Sequence, residues 1–140
     1  MAKKVKYLKQ VAVHLERRYG QTKAQTIMGK APKLKAIMKI PGLYKVAPKF
    51  FYSMTRKSFG PQAGFASDNI HLGKNDMGFD MTKCPYNDNC VKYGCPEIVK
   101  GFCDADDICY GNMHPKLVWG RTKTLGHGGD VCDFRISIKE

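Results

Sequence analysis

The spacing of apolar residues divides the chain into a helical N-terminal part and a mixed C-terminal part. In the first sixty residues, apolar side chains recur at helical spacing with lysine and arginine between them. The N-terminal part is therefore expected to consist of helices. They are predicted over residues 4–19, from Thr22 to about Lys30 with apolar spacing that continues over 34–40, and over 48–59.

After residue 60 the pattern changes to the alternation typical of strands. Residues 62–75 are rich in Gly, Ser, Asp and Asn, which is typical of a loop or a short strand. Strands are predicted at Met77–Lys83, Trp119–Leu125 and Val131–Ile138, and helices at Asn87–Lys100 and Asp104–Tyr110. This order predicts one α+β domain over residues 1–140. In it, N-terminal helices pack on a small antiparallel sheet with a C-terminal β-hairpin.

The positive charge is concentrated in the first sixty residues. Of the 24 lysines and arginines, fifteen lie in residues 1–60 beside a single acid, Glu16, whereas residues 61–140 hold nine basic and eleven acidic residues. The net charge of +12 is thus +14 in a basic helical segment (1–60) and −2 in a cysteine-containing α+β core (61–140). An asymmetry of this size favours contact between the basic segment and something anionic.

Aromatic and aliphatic side chains accompany the basic residues between Gly29 and Gly60. Such a surface has three interpretations: it simply faces solvent, it lies on an anionic membrane, or it binds single-stranded nucleic acid. Nucleic acid is disfavoured because the sequence has no glycine-rich phosphate loop, helix-turn-helix signature or RNA-recognition aromatic motif. Docking on an acidic protein partner, or on a second copy of the chain, is preferred because phenylalanines such as Phe50 and Phe51 need apolar cover.

The sequence favours a cytoplasmic protein. No apolar run reaches about eighteen residues, so no transmembrane segment is predicted. The start, Met-Ala-Lys-Lys-Val-Lys, lacks the apolar region and the cleavage site of a secretory signal. In a reducing compartment, six cysteines are more readily thiols or metal ligands than a disulfide framework.

Cys84, Cys103 and Cys132 lie at the end of a predicted strand, at a helix junction and inside the last strand. A small sheet that includes both cysteine-bearing strands can bring these three thiols together. They then serve as a thiolate nucleophile beside a base, as three ligands of a metal, or as buried core cysteines. The fourth metal ligand would come from His127, Asp106 or Asp133.

Cys90, Cys95 and Cys109 are weaker candidates for metal ligands. Their spacing matches neither the Cys-x2-Cys-x2-Cys run of iron–sulfur proteins nor the paired Cys-x2-Cys of zinc ribbons. Zinc and an iron–sulfur cluster are therefore alternatives that the sequence leaves open, and no cofactor follows from it.

Three blocks of the second half resemble the L-2-amino-thiazoline-4-carboxylic acid hydrolase family. They are Phe79-Asp80-Met81-Thr82-Lys83-Cys84-Pro85-Tyr86, then Phe102-Cys103-Asp104-Ala105-Asp106, then Arg121-Thr-Lys-Thr-Leu125 leading through a glycine turn into Cys132-Asp133-Phe134. The resemblance covers Met77 to Phe134. It implies a small-molecule substrate and a hydrolase that acts on a carbon–nitrogen bond of a cyclic amidine, opening a thiazoline ring to a carbamoyl-cysteine.

Each role in such a reaction has a candidate residue. The catalytic candidates are Cys103, Cys132, Cys84, His127 and Asp106. Arg121, with Thr122 beside it, is the candidate for holding the substrate carboxylate, because a guanidinium forms bidentate bonds to that group. The equally weighted alternative is a surface cation paired with Asp130 or Asp133.

The polar candidates also have plainer interpretations. His127 lies in the glycine turn and suits a general acid or base, although a turn histidine is often only exposed to solvent. Asp106, three residues after Cys103, can orient a thiol or activate water, or simply favour the start of a helix. Strand alternation places Cys132 and Asp133 on opposite faces, so only Cys132 is expected in the site.

A second class of function explains the same residues without catalysis. The chain would then be a subunit or sensor that holds a metal, a cluster or a small ligand in the cysteine site. Its basic N-terminal half would dock on an acidic partner.

Overall fold

A four-stranded antiparallel sheet lies at the centre of the computed structural model, which describes Lys33 and residues 35–140. The strands are β1 (Ala66–Leu72), β2 (Asp76–Lys83), β3 (Leu117–Trp119) and β4 (Cys132–Ile138), in the spatial order β1-β2-β4-β3. The helices are α1 (Ala47–Ser58), α2 (Pro85–Lys92) and α3 (Glu97–Tyr110), with 3-10 turns at Leu43–Val46, Pro61–Ala63 and Leu125–His127. The predicted α+β class is confirmed, whereas the helices predicted over 4–19 and 22–30 lie outside the described residues.

Alternation along β2 and β4 gives the sheet one apolar face. Three cross-strand pairs, Met77↔Ile136, Phe79↔Phe134 and Met81↔Cys132, lie side by side on this face. All but the half-buried Phe134 are buried. Burial of an apolar side chain of this size stabilises the fold by about 1.5–3 kcal/mol. The face is therefore the core.

Helix α1 covers part of the apolar face. Pro48 lies in its first turn, as predicted, and is buried together with Phe51. The Phe51 ring meets Tyr110 edge-on at 5.0 Å between centroids, and Phe59 meets Phe65 in the same way at 5.2 Å. Phe51 is thus covered within the chain whereas Phe50 is exposed, and docking of the basic segment on a partner stays a prediction.

The boundary between the second and third helices was predicted in the wrong place. The structure breaks the chain at residues 93–96 instead of within 101–103, and α3 continues through Cys103. Gly94 adopts a left-handed conformation with φ 70°, and its N–H bonds to the Val91 carbonyl at 3.0 Å. The N–H of Cys95 bonds to the Cys90 carbonyl at 2.8 Å, which completes a glycine-dependent helix stop.

The C-terminal hairpin is present, but its first strand, β3, lies earlier in the chain and shares only Trp119 with the predicted strand Trp119–Leu125. Strand β3 ends at Trp119, and residues 120–124 form no strand. The Asp133 carboxylate accepts the N–H groups of Thr122 and Lys123 at 2.9 and 2.7 Å, so a side chain takes donors that a strand would use for its ladder. The loop or short strand predicted over 62–75 contains β1, with a bulge near Asn69 (φ 50°).

In the residues that the structure describes, no helix is long and apolar enough to cross a membrane.

Candidate functional site

Helix α3 faces the β3–β4 connection, residues 120–131, and Arg121 joins the two. Its Nη1 lies 3.2 Å from Asp106 Oδ2, and its Nη2 lies 2.7 Å from Asp107 Oδ2. Nη2 also donates to the Cys103 carbonyl oxygen at 2.5 Å. Trp119 Nε1 donates to the other oxygen of Asp107 at 2.7 Å. One guanidinium therefore fixes the part of the helix that carries Cys103 and Asp106.

The Arg121 side chain is only 2% exposed. Its guanidinium carbon lies 5.7 Å from the Trp119 ring centroid and 5.4 Å from that of Phe134, a cation–π arrangement. The alternative prediction of a surface cation paired with Asp130 or Asp133 is wrong, because the side chain is buried and its ion pairs are with Asp106 and Asp107 on α3. Asp130 instead forms an ion pair with Lys123, at 2.6 Å.

Asp106 has the most unusual ionisation in the site. Although 40% of its side chain is exposed, desolvation raises its pKa from 3.8 to about 6. The positive charge of Arg121 lowers this pKa and the negative charge of Asp107 raises it. A carboxyl group that titrates near 6 is suited to proton transfer at neutral pH.

His127 is tethered at both ring nitrogens. Nδ1 lies 2.8 Å from Thr124 Oγ1, and Nε2 lies 3.1 Å from Asp104 Oδ1 on α3. Thr124 is buried, and its hydroxyl also accepts the His127 N–H at 3.2 Å. The ring is partly exposed but held in one place, a property that a purely solvent-facing turn histidine lacks.

Two of the three predicted thiols, Cys103 and Cys132, lie against the 3-10 turn Leu125–His127. The Leu125 N–H donates to Cys132 Sγ at 3.2 Å, and Cys132 is 4% exposed. A Cβ added to Gly126 would lie 2.8 Å from Cys103 Sγ, so glycine lets the turn rest on that thiol. Cys84 is half-buried at the N-cap of α2.

Burial holds two of these thiols in their neutral form. Burial, with smaller contributions from Cys103 and Cys84, raises the pKa of Cys132 to about 11. Burial also raises the pKa of Cys84, with a contribution from Cys103 in the same direction. Cys84 and Cys132 are thus protonated at neutral pH, so they are poor thiolate nucleophiles.

The comparison with protein families gives one match. The family model of L-2-amino-thiazoline-4-carboxylic acid hydrolase matches residues 3–136. The chain belongs to this family. The resemblance in the sequence covers only Met77 to Phe134, and the match adds residues 3–76 to it. No curated protein and no solved structure matches the chain.

Two residues of the hydrolase-family blocks lie away from the thiols. Asp133 and Cys132 lie on opposite faces of β4, as alternation predicts. The Thr122 hydroxyl donates to Asp133 Oδ2 at 2.5 Å. Although burial opposes it, the hydrogen bonds from Thr122 and Lys123 lower the pKa of Asp133. Thr122, predicted to bind substrate, is therefore not brought together with Cys84, Cys103 and Cys132.

In the described part of this hydrolase-family chain, no three His, Cys, Asp or Glu side chains are arranged to hold a metal ion. Each predicted fourth ligand is engaged elsewhere: His127 with Asp104, Asp106 with Arg121, and Asp133 with Thr122. Cys90 and Cys95 lie at the turn between α2 and α3, and Cys109 lies in the last turn of α3.

Sequence reasoning missed the contributions of Asp107 and Gly126. Asp107 shares Arg121 with Asp106 and binds the Trp119 indole. Gly126 lies against Cys103 and Val99. One signal in the sequence pointed to a distant cationic partner. Asp106 and Asp107 are adjacent in a helix that has no cation of its own in that turn.

Proposed function

We propose that this chain hydrolyses L-2-amino-thiazoline-4-carboxylate or a closely related cyclic amidine, opening the ring to a carbamoyl-cysteine. The family match supports this class of substrate. The observation that carries the proposal is Asp106, a carboxyl group with a pKa of about 6, held by Arg121 one helical turn from Cys103.

The reaction consumes one water molecule and involves no oxidation or reduction. The water oxygen forms a bond to the ring carbon of the C=N group, and one water proton passes to a base. The π electrons of the C=N bond move to the ring nitrogen, which takes up a proton. The bond between that carbon and the ring sulfur then breaks with its electron pair on the sulfur, which takes up a proton. The second water proton leaves the hydroxyl group as the carbon becomes a urea-type carbonyl. Addition at a carbon–nitrogen bond thus leads to cleavage of a carbon–sulfur bond.

Asp106 is assigned as the base that accepts the water proton. Above pH 6 its carboxylate is the main form, and it retains enough basicity to take a proton in the transition state. His127 is assigned as the acid for the leaving sulfur, since Thr124 and Asp104 hold its ring beside the same helix. General acid–base catalysis of this kind contributes about 10²–10⁴-fold to the rate.

The thiols and Arg121 take supporting roles in this proposal. Cys84 and Cys132, with raised pKa values, line the site as neutral side chains. Cys103 is the remaining thiol for a covalent route. Arg121 is a positioning residue and not the carboxylate clamp, because two aspartates and a backbone carbonyl already occupy its guanidinium.

The test is incubation of the purified full chain with L-2-amino-thiazoline-4-carboxylate, with the product followed by carbon NMR of the new carbonyl. Wild-type protein is expected to form the carbamoyl product. Asp106→Asn is expected to lose at least about 100-fold in kcat/KM, whereas the exposed control Asp68→Asn on β1 retains activity. No product from folded wild-type protein would overturn the proposal and favour the non-catalytic alternative.

The same assay decides the role of Cys103. Cys103→Ala is expected to keep turnover, because water attacks directly. Complete loss of turnover, together with a covalent adduct on wild-type Cys103 in the mass spectrum, would replace direct attack by a thiol nucleophile.

A further inference from the structure

Cys90 and Cys95 are brought together by the way α2 ends. The Cys95 N–H bonds to the Cys90 carbonyl at 2.8 Å, and the Gly94 N–H bonds to the Val91 carbonyl at 3.0 Å. Gly94, with φ 70°, supplies the left-handed residue that this pair of bonds requires. In this kind of helix stop, the side chains at the positions of Cys90 and Cys95 frequently contact each other. Here both side chains are thiols.

Both residues are half-buried, so small reagents can reach them. Burial and, after it, the neighbouring Cys95 raise the pKa of Cys90. The raised pKa leaves Cys90 little thiolate at neutral pH, so Cys95 is assigned as the thiol that reacts first.

We propose that Cys90 and Cys95 form a redox-active dithiol, which a low-molecular-weight disulfide such as oxidised glutathione converts to an intramolecular disulfide. A disulfide requires closely spaced backbones, with Cα atoms about 4.4–6.8 Å apart. The direct backbone hydrogen bond between Cys95 and Cys90, at 2.8 Å, places the two backbones close together, as a disulfide needs. Only residues 91–94 lie between the two cysteines, and Gly94 already makes the turn.

The oxidation proceeds by two exchanges and is balanced. The Cys95 thiolate attacks one sulfur of oxidised glutathione, which forms a mixed disulfide and releases one glutathione thiolate. The Cys90 thiol loses its proton to solvent and attacks the Cys95 sulfur of the mixed disulfide, releasing the second glutathione. The protein loses two electrons and two protons, and the glutathione disulfide gains the two electrons.

This modification is independent of the proposed hydrolysis. It consumes neither Cys103 nor Cys132, and it leaves Asp106 and Arg121 untouched. Cys84, at the N-cap of α2, contributes to the raised pKa values of both Cys90 and Cys132. The experiment must therefore separate a bond to Cys90 from a bond to Cys84.

The test equilibrates reduced full-length protein with a glutathione redox buffer, then alkylates the remaining thiols and digests with trypsin. The expected result is loss of two alkylatable thiols and a mass decrease of about 2 Da, because two hydrogens leave. Cleavage after Lys83, Lys92 and Lys100 should give one linked pair of peptides, residues 84–92 joined to 93–100. Fragmentation of that wild-type pair assigns the bond even where a variant folds poorly.

The variants make the assignment specific. Cys90→Ser and Cys95→Ser should each abolish the linked pair, whereas Cys109→Ser and Cys84→Ser should retain it. A bond from Cys84 to Cys95 would overturn the proposal. Glutathione retained on Cys90 or Cys95, or two unmodified thiols in a strongly oxidising buffer, would overturn it as well.

Discussion

Arg121 and Asp106 meet between the β3–β4 connection and helix α3, with Nη1 3.2 Å from Oδ2, and the arginine side chain is almost fully buried. Residues fifteen positions apart in the chain are thereby fixed in one site. The contact holds the carboxylate in place. Burial raises the pKa of Asp106 to about 6, and the positive charge of Arg121 limits this rise.

Replacement of Arg121 by methionine is expected to raise the pKa of Asp106, because the cation that stabilises the carboxylate is removed. The unfolding free energy should fall by about 2 kcal/mol, less than for a fully buried ion pair because both aspartates are partly exposed. Carbon NMR titration and urea denaturation measure the two effects. Lys123→Met removes an exposed ion pair and should change neither the Asp106 pKa nor the unfolding free energy. An unchanged Asp106 pKa in Arg121→Met would show that the contact does not tune this carboxyl group.

Alanine at position 126 should destabilise the protein by about 1–3 kcal/mol, because its Cβ would lie 2.8 Å from Cys103 Sγ and 3.0 Å from Val99 Cγ1. Adding Cys103→Ala should recover part of the loss, which a double-mutant cycle in urea measures. Gly101→Ala is the matched control. It meets no atom within 4 Å and should stabilise α3 by about 0.5–1 kcal/mol. If the changes in unfolding free energy for Gly126→Ala and Cys103→Ala simply add in the double variant, this contact is not the cause of the loss.

Substitution of Thr122 by valine should affect stability and not substrate binding, because its hydroxyl bonds to Asp133 on the face opposite Cys132. We expect a loss of about 1 kcal/mol in unfolding free energy and an unchanged KM. Asp133→Asn should cost more, about 1–2 kcal/mol, since three hydrogen bonds end on its carboxylate. A several-fold rise in KM for Thr122→Val at normal stability would restore the predicted substrate-binding role.

Cys132 should be the slowest of the six cysteines to react with iodoacetamide in native protein at pH 8. It is 4% exposed, and its pKa of about 11 leaves little thiolate. Labelling over time, followed by peptide mass spectrometry, measures the order. In urea all six should react at similar rates. Fast labelling of native Cys132 would mean that it is an activated thiolate.

The sequence predicted the sheet core well, because alternation of large apolar residues in β2 and β4 is decided by burial on one face. Met77, Phe79 and Met81 match this pattern, as do Cys132 and Ile136. The end of α2 was missed because the helical spacing continues across the break, and only the left-handed Gly94 with its two backbone hydrogen bonds ends the helix.

The placement of some candidate residues on strand and helix faces was predictable, but their pairing was not. Alternation correctly separated Cys132 from Asp133, and the helical spacing of Cys103 and Asp106 was correct. The partners of Arg121 were not predictable, because the choice between Asp106 and Asp130 depends on how α3 packs against residues 120–131. The end of β3 at Trp119 has a similar cause. The Asp133 side chain accepts the N–H groups of Thr122 and Lys123, which a longer strand would use for hydrogen bonds to its neighbour.

The pH dependence of kcat/KM for hydrolysis of L-2-amino-thiazoline-4-carboxylate tests the central claim, that Asp106 is the base, most directly. For the wild type, kcat/KM should rise with pH through an apparent pKa of about 6, because Asp106 must be deprotonated to accept the water proton. In Asp106→Asn this rise should be absent and the remaining rate at least about 100-fold lower. An Asp106→Asn variant with the wild-type rate and the same rise near pH 6 would contradict the account.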